Sequence, residues 1–105
     1  MNSGDTYFLL LYLVGVFQPV AKRDLFREAT KAAATTPPGG LDLGVASEAL
    51  TELIRRRLVI EDHGLISCTV LGNERAAKLG LRKARDKNRL FFLKTSLRHD
   101  YNEDR

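Results

Sequence analysis

The 105 residues contain no tryptophan, one cysteine (Cys68), one methionine and two histidines, and no apolar run is long enough to span a membrane. A single thiol excludes an internal disulfide framework and a cysteine-only zinc site. His63 and His99 are the only histidines, and His99 sits beside Asp100, a spacing that does not face one side chain with the next on a helix. Pro37-Pro38-Gly39-Gly40 lacks the lysine of a phosphate-binding loop. No catalytic constellation, metal site or cofactor site is expected. Cys68 reads as a small buried hydrophobe. The most apolar stretch, Tyr7–Phe17, spans about 16 Å as a helix at 1.5 Å per residue, half the hydrocarbon core of a bilayer. Asp5 is the only charged side chain among the first six, so the positive start of a signal peptide is missing. The reading is a cytoplasmic chain with no membrane partner.

The composition, 44% hydrophobic and 29% charged, is that of a globular protein, and the length corresponds to one domain. A chain of this size buries roughly 65% of the surface that its unfolded form exposes. Tyr7–Phe17 predicts a first helix, capped by Asp5 or Thr6 and apolar on every side. One small domain can hardly cover such a helix, so a second copy of the chain is expected to do so. Gln18-Pro19 ends it. A second helix is predicted from about Val20 to Ala34, with Val20, Leu25, Phe26, Ala29 and Ala33 on its apolar face. Thr35–Asp42 is a loop. A third helix runs from Leu43 or Val45 to Arg57, with Ala46, Ala49, Leu50, Leu53, Ile54 and Arg57 along one buried stripe. Leu58–Glu61 and Leu65–Val70 read as two strands joined by a tight turn at Asp62-His63-Gly64. Leu71-Gly72-Asn73 leads into a last helical stretch with a break or kink near Gly80. The fold class is mainly α with a small β-hairpin.

Three helices, a two-stranded hairpin and a further helix is the order of a winged helix-turn-helix domain. Leu50-Thr51-Glu52-Leu53-Ile54-Arg55-Arg56-Arg57-Leu58-Val59 resembles the end of a recognition helix entering the first wing strand. Ile66-Ser67-Cys68-Thr69-Val70-Leu71-Gly72 resembles the second wing strand and its exit, and Glu74-Arg75-Ala76-Ala77-Lys78-Leu79 the start of the helix that follows. The chain is similar to PadR-like and MarR-like transcriptional regulators over about residues 7–79. Residues 80–101 are left as a basic, dimerising C-terminal helix and 102–105 as a tail, all within one domain. The resemblance implies a winged helix-turn-helix with an additional C-terminal helix, and double-stranded DNA as partner. A small-molecule effector is not legible. Three features depart from the family pattern. The turn before the third helix has about eight residues where a few are usual. Arg57 stands where glycine is frequent. The third helix starts Gly44-Val45-Ala46-Ser47-Glu48, with none of the side chains that most often read bases.

Charge is concentrated. Between Arg75 and Arg98 there are nine basic residues and one acid, Asp86, an excess of +8 against +4 for the whole chain. Such a segment suits phosphate contact. The candidate DNA-binding residues are Ser47, Thr51, Arg55 and Arg56 on the third helix, His63 at the hairpin tip, and Arg82, Lys83 and Arg85 in the basic segment. Glu48 and Glu52 are possible acceptors for cytosine but are repelled by phosphate. Leu90-Phe91-Phe92-Leu93 exceeds what one helix face can cover. With Leu97, and with Tyr7, Phe8, Leu11 and Tyr12 of the first helix, it forms the expected interface of a homodimer. The alternative is a winged-helix adaptor that binds protein without sequence-specific DNA contact.

Overall fold

The computed structural model describes residues 3–34 and 40–83, and for 80–83 the backbone alone. Thr35–Gly39 of the expected loop lie outside the described residues, as do Arg85, Leu90–Leu93 and Leu97. The elements in chain order are α1 (Ser3–Phe17), β1 (Val20–Ala21), α2 (Lys22–Ala34), α3 (Leu43–Arg55), β2 (Val59–Asp62), β3 (Leu65–Cys68) and α4 (Val70–Lys83). The described chain is mainly helical, with one small antiparallel sheet of three strands in the order β1-β3-β2.

α1 is the axis of the core. Every residue from Tyr7 to Val14 is buried, and α2, α3, α4 and β3 each pack against the helix. An apolar helix with no polar face must be covered all round, and here the chain supplies that cover itself. This corrects the expected interface: Tyr7, Phe8, Leu11 and Tyr12 are at most 5% exposed and belong to the monomer core. The helix also starts earlier than the sequence indicates. Asp5 and Thr6 lie inside its first turns and are buried, with Asp5 placed where a carboxylate favours the helix dipole.

α2 places Leu25, Ala29 and Ala33 in the core, with Phe26 packed at its edge. Val20 is buried too, but as a strand residue. Val20 pairs with Ile66 and Ala21 with Leu65, so the hairpin gains a third strand. Gln18 joins this corner. Its Oε1 accepts the Cys68 N–H at 2.8 Å and its Nε2 donates to Asn73 Oδ1 at 2.9 Å. One side chain thereby links the end of α1 to β3 and α4.

Asp42 caps α3, its Oδ1 accepting from Gly44 N at 2.7 Å and Val45 N at 3.2 Å. The buried stripe is Ala46, Ala49, Leu50 and Leu53; Ile54 and Arg57, expected on it, are exposed. The helix stops before Arg57 because the chain turns there into the left-handed region, with Arg57 at φ 60. Arg57 N–H then bonds to Ile54 O and Leu58 N–H to Leu53 O, each at 3.0 Å. These are the paired bonds of a Schellman close, with buried Leu58 and Leu53 as its apolar pair. Arginine occupies the position that glycine usually takes in such a close.

The hairpin turn is His63-Gly64, both at positive φ (53 and 79), as a two-residue type I′ turn requires. β2 pairs with β3 from Val59↔Cys68 to Asp62↔Leu65. After β3, Thr69 caps the start of α4. Its hydroxyl lies 2.6 Å from the Arg57 carbonyl oxygen and accepts Gly72 N–H at 3.1 Å, while its N–H bonds to Leu58 O at 3.0 Å. α4 then begins at Val70 and runs on through Gly80 to Lys83, so the break expected near Gly80 does not occur among the described residues. Tertiary packing of one apolar face outweighs the local cost of a glycine.

The turn from β3 into α4 sits directly on the turn from α3 into β2. A Cβ on Gly72 would stand 1.8 Å from the Leu58 carbonyl oxygen and 2.8 Å from its carbon. Neither is a flexible side-chain end. Gly72→Ala is expected to cost more than the roughly 1–3 kcal/mol of ordinary overpacking, because backbone must move. Urea denaturation followed by circular dichroism measures it; a midpoint equal to that of the unaltered chain would refute the contact.

Candidate functional site

Of the expected site residues, the exposed side of α3 brings together only Thr51 and Arg55, with Ser47 at its margin. Thr51 and Arg55 lie on it and face solvent, whereas Ser47 is half-buried. Thr51 Oγ1 donates to Ser47 O at 3.0 Å, the back-bond that a helical threonine makes to the preceding turn. Leu43, Glu48 and Ile54 are exposed on the same helix. Thr51 and Arg55 thus share an accessible face, and Ser47 stands at its margin.

The arginines are not equivalent. Glu52 accepts from Arg55 Nε at 2.9 Å through Oε2 and from Arg55 Nη2 through Oε1. Oε1 also takes Arg56 Nε at 2.7 Å. The spacings, three and four residues along a helix, bring these side chains together on its surface. Arg56 turns inward: its guanidinium lies 5.3 Å from the ring centroid of buried Tyr7, and its side chain is 28% exposed. Arg55 turns outward at 69%. Arg56, expected as a DNA contact, is therefore an intramolecular tie between α3 and α1. The trio carries one net positive charge where three consecutive arginines in the sequence promise more.

Two arginines on one carboxylate hold Glu52 well below its ordinary value. The pKa falls from 4.5 to about 2, first through the hydrogen bond from Arg55 and then through that from Arg56. Both guanidinium groups are raised in return, chiefly by their bonds to Glu52. Beside the trio, Ser3, Tyr7, Val45, Glu48, Ala49 and Glu52 line a cavity of about 200 Å³ between α1 and α3. Its charged lining residues, Glu48 and Glu52, are acidic.

The hairpin carries the opposite sign from that expected of a phosphate contact. From Leu58 to Asn73 there is no Lys or Arg, and Glu61 and Asp62 are exposed on β2. His63 stands at the tip as expected, 91% exposed, with Nδ1 2.9 Å from Asp62 Oδ1. Ile60 and Leu65 are exposed on the same hairpin. Cys68 is half-buried rather than fully buried, and burial pushes its thiol pKa up, which disfavours the nucleophilic thiolate.

Arg82 and Lys83 fall in the last turn of α4. Arg85 and the rest of the basic segment lie outside the described residues. Residues 1–81 hold nine basic and nine acidic side chains, so the whole excess of +4 resides in 82–105. The body that carries α3 and the hairpin is electrically balanced. Sequence reasoning treated Glu52 only as a possible base acceptor. The signal for its actual role was the spacing Glu52-Arg55-Arg56, which places one acid within reach of two bases on a helix surface.

Comparison with known proteins finds no match: no family model, no curated protein and no solved structure is similar to this chain.

Glu52 sets a pH dependence with a definite sign. Above pH 4.5 the carboxyl is ionised in both folded and unfolded chains, and its bonds to the arginines contribute in full. As pH falls from 4.5 toward about 2 the unfolded chain binds a proton that the folded chain refuses, and stability declines. Stability measured by urea denaturation across this window is expected to fall less steeply in Glu52→Gln. Identical pH profiles for the two proteins would contradict the pairing.

Proposed function

We propose that the chain is a winged-helix DNA-binding protein, a homodimeric transcriptional regulator that docks through its basic C-terminal segment and α3. The order of three helices, a hairpin and a further helix supports the winged-helix reading. The observation that carries DNA binding is the separation of charge. Residues 1–81 are balanced and are followed by seven Lys and Arg against one acid between Arg82 and Arg98. A solvated helix normally interleaves acids for pairing along its surface. A cationic segment of this kind gains by neutralising phosphates and releasing counterions.

In this reading Arg82, Lys83 and Arg85 supply affinity, and the exposed face of α3 supplies whatever choice of sequence there is. Thr51 and Arg55 are the side chains available for it, with Ser47 behind them. The basic segment anchors the chain, because the acidic hairpin is repelled by a phosphate backbone.

That hairpin favours a second reading, a winged-helix adaptor that binds protein. Ile60 and Leu65 expose apolar surface beside Glu61 and Asp62, a combination suited to a protein partner rather than to DNA.

Fluorescence anisotropy on random duplex DNA separates the two. Binding is expected to weaken steeply with salt. Replacing Arg82, Lys83 and Arg85 by alanine is expected to lower the slope of log K against log salt by about 0.9 for each phosphate that is no longer neutralised. Affinity and slope that survive the triple replacement unchanged would show that this segment is merely a soluble helix, whereas no salt-dependent binding by the unaltered chain would favour the adaptor.

The homodimer now depends on Leu90–Leu93 and Leu97 alone, since the first helix is enclosed by its own chain. Sedimentation equilibrium is expected to give twice the 11.8 kDa chain mass, and Phe92→Glu to shift it toward the monomer by burying an unpaired charge. A monomer at micromolar concentration would refute the dimer.

A further inference from the structure

We propose that Glu52 is a positioning residue for Arg55: it grips one edge of the guanidinium so that the other edge faces a guanine in the major groove. The inference rests on the DNA-binding reading above. Glu52 occupies Nε and one hydrogen of Nη2. A guanidinium has five N–H donors in a rigid plane. The edge formed by Nη1 and the outer hydrogen of Nη2 makes no hydrogen bond among the described residues, and the side chain is 69% exposed.

The grip is itself supported. Oε1 of Glu52 is shared with Arg56, whose guanidinium rests on the Tyr7 ring in the core. A chain of contacts therefore runs from buried Tyr7 through Arg56 and Glu52 to Arg55. A lone exposed ion pair would hold a side chain weakly. A bidentate pair tied to a second arginine over a buried ring holds it in place. Arg55 then gives up little side-chain freedom on binding, which is what a two-bond contact to a base edge requires.

The charge balance selects guanine over phosphate. Glu52 offsets one of the two positive charges, and Glu48 lies one turn earlier beside the same cavity. Attraction to an anion is weakened accordingly. Guanine presents two neutral acceptors, O6 and N7, and an arginine recognises them by geometry rather than by net charge. The anionic contacts fall to the segment from Arg82 onward, so affinity and discrimination are divided between the two ends of the surface.

The test uses the full chain. Duplexes preferred by the unaltered protein are selected from a random pool, and anisotropy then measures affinity for the best duplex and for random duplex DNA. Arg55→Lys keeps the charge but removes the fork; it is expected to reduce the preference at one G·C pair about tenfold with random-duplex affinity held within about twofold. Glu52→Gln is expected to bind random duplex more tightly, by removing a like charge from the phosphates, while the preference falls. Thermal melts establish that each variant is folded, and Arg55→Lys decides alone if Glu52→Gln is not. Three results overturn the proposal. If Glu52→Gln shifts both duplexes by one factor, the carboxylate is only a counter-charge. If the preference survives in Arg55→Lys, Arg55 is not the reader. If the unaltered chain binds no duplex at any salt, the DNA-binding reading fails and this inference fails with it.

Discussion

An apolar helix without a polar face can exist in water only if something surrounds it, and the arrangement of this chain follows from that constraint. Eight successive residues of α1, Tyr7–Val14, are buried, although no single neighbouring element could cover more than one side. Three helices and a strand divide the work. Each buried leucine or phenylalanine contributes about 1.5–3 kcal/mol relative to exposure, so the eight residues together make α1 the main source of hydrophobic stabilisation. The close approaches elsewhere serve this packing. A Cβ on Gly15 would come within 2.8 Å of the Ala76 Cβ, so small residues let α1 and α4 approach each other.

The connections are held as tightly as the core. The Leu58 carbonyl accepts the Thr69 N–H, lies against Gly72 and follows the left-handed turn at Arg57. The entry to β2 and the exit from β3 thereby form one hydrogen-bonded junction at the base of the hairpin. At the same end of the sheet, at Cys68 one residue before Thr69, Gln18 ties α1 to β3 and α4 with both ends of its amide. The hairpin is anchored at its base and open at its tip, where Glu61, Asp62 and His63 are exposed.

Electrostatics divides the chain differently from packing. Residues 1–81 hold equal numbers of acids and bases, and the surplus of positive charge starts at Arg82 in the last turn of α4. At the end of α3 the three consecutive arginines take three separate roles. Arg55 faces outward in the grip of Glu52, Arg56 folds back over Tyr7, and Arg57 turns the chain. In sequence the three are adjacent and alike in charge. Which of them can reach a partner depends on an acid one turn earlier and on a ring from another helix.

Periodicity and punctuation determined the coarse structure from sequence alone. The helical spacing of Leu25, Ala29 and Ala33, the spacing of Ala46, Leu50 and Leu53, and the glycine of the His63-Gly64 turn each encode a local preference that the fold keeps. These signals act within a few residues and need no partner. Long-range contacts decided the rest. Val20 has an apolar side chain compatible with either helix or strand, and only β3 alongside makes it a strand. Arg57 left the buried stripe because the chain reverses at the end of α3, where a Schellman close needs residues from both sides of the turn. Gly80 stayed helical in a helix that packs on α1. The apolar excess of the first helix was legible, but its meaning was not. A hydrophobic face records that water must be excluded, and only the tertiary structure shows that the same chain, rather than a second copy, excludes it.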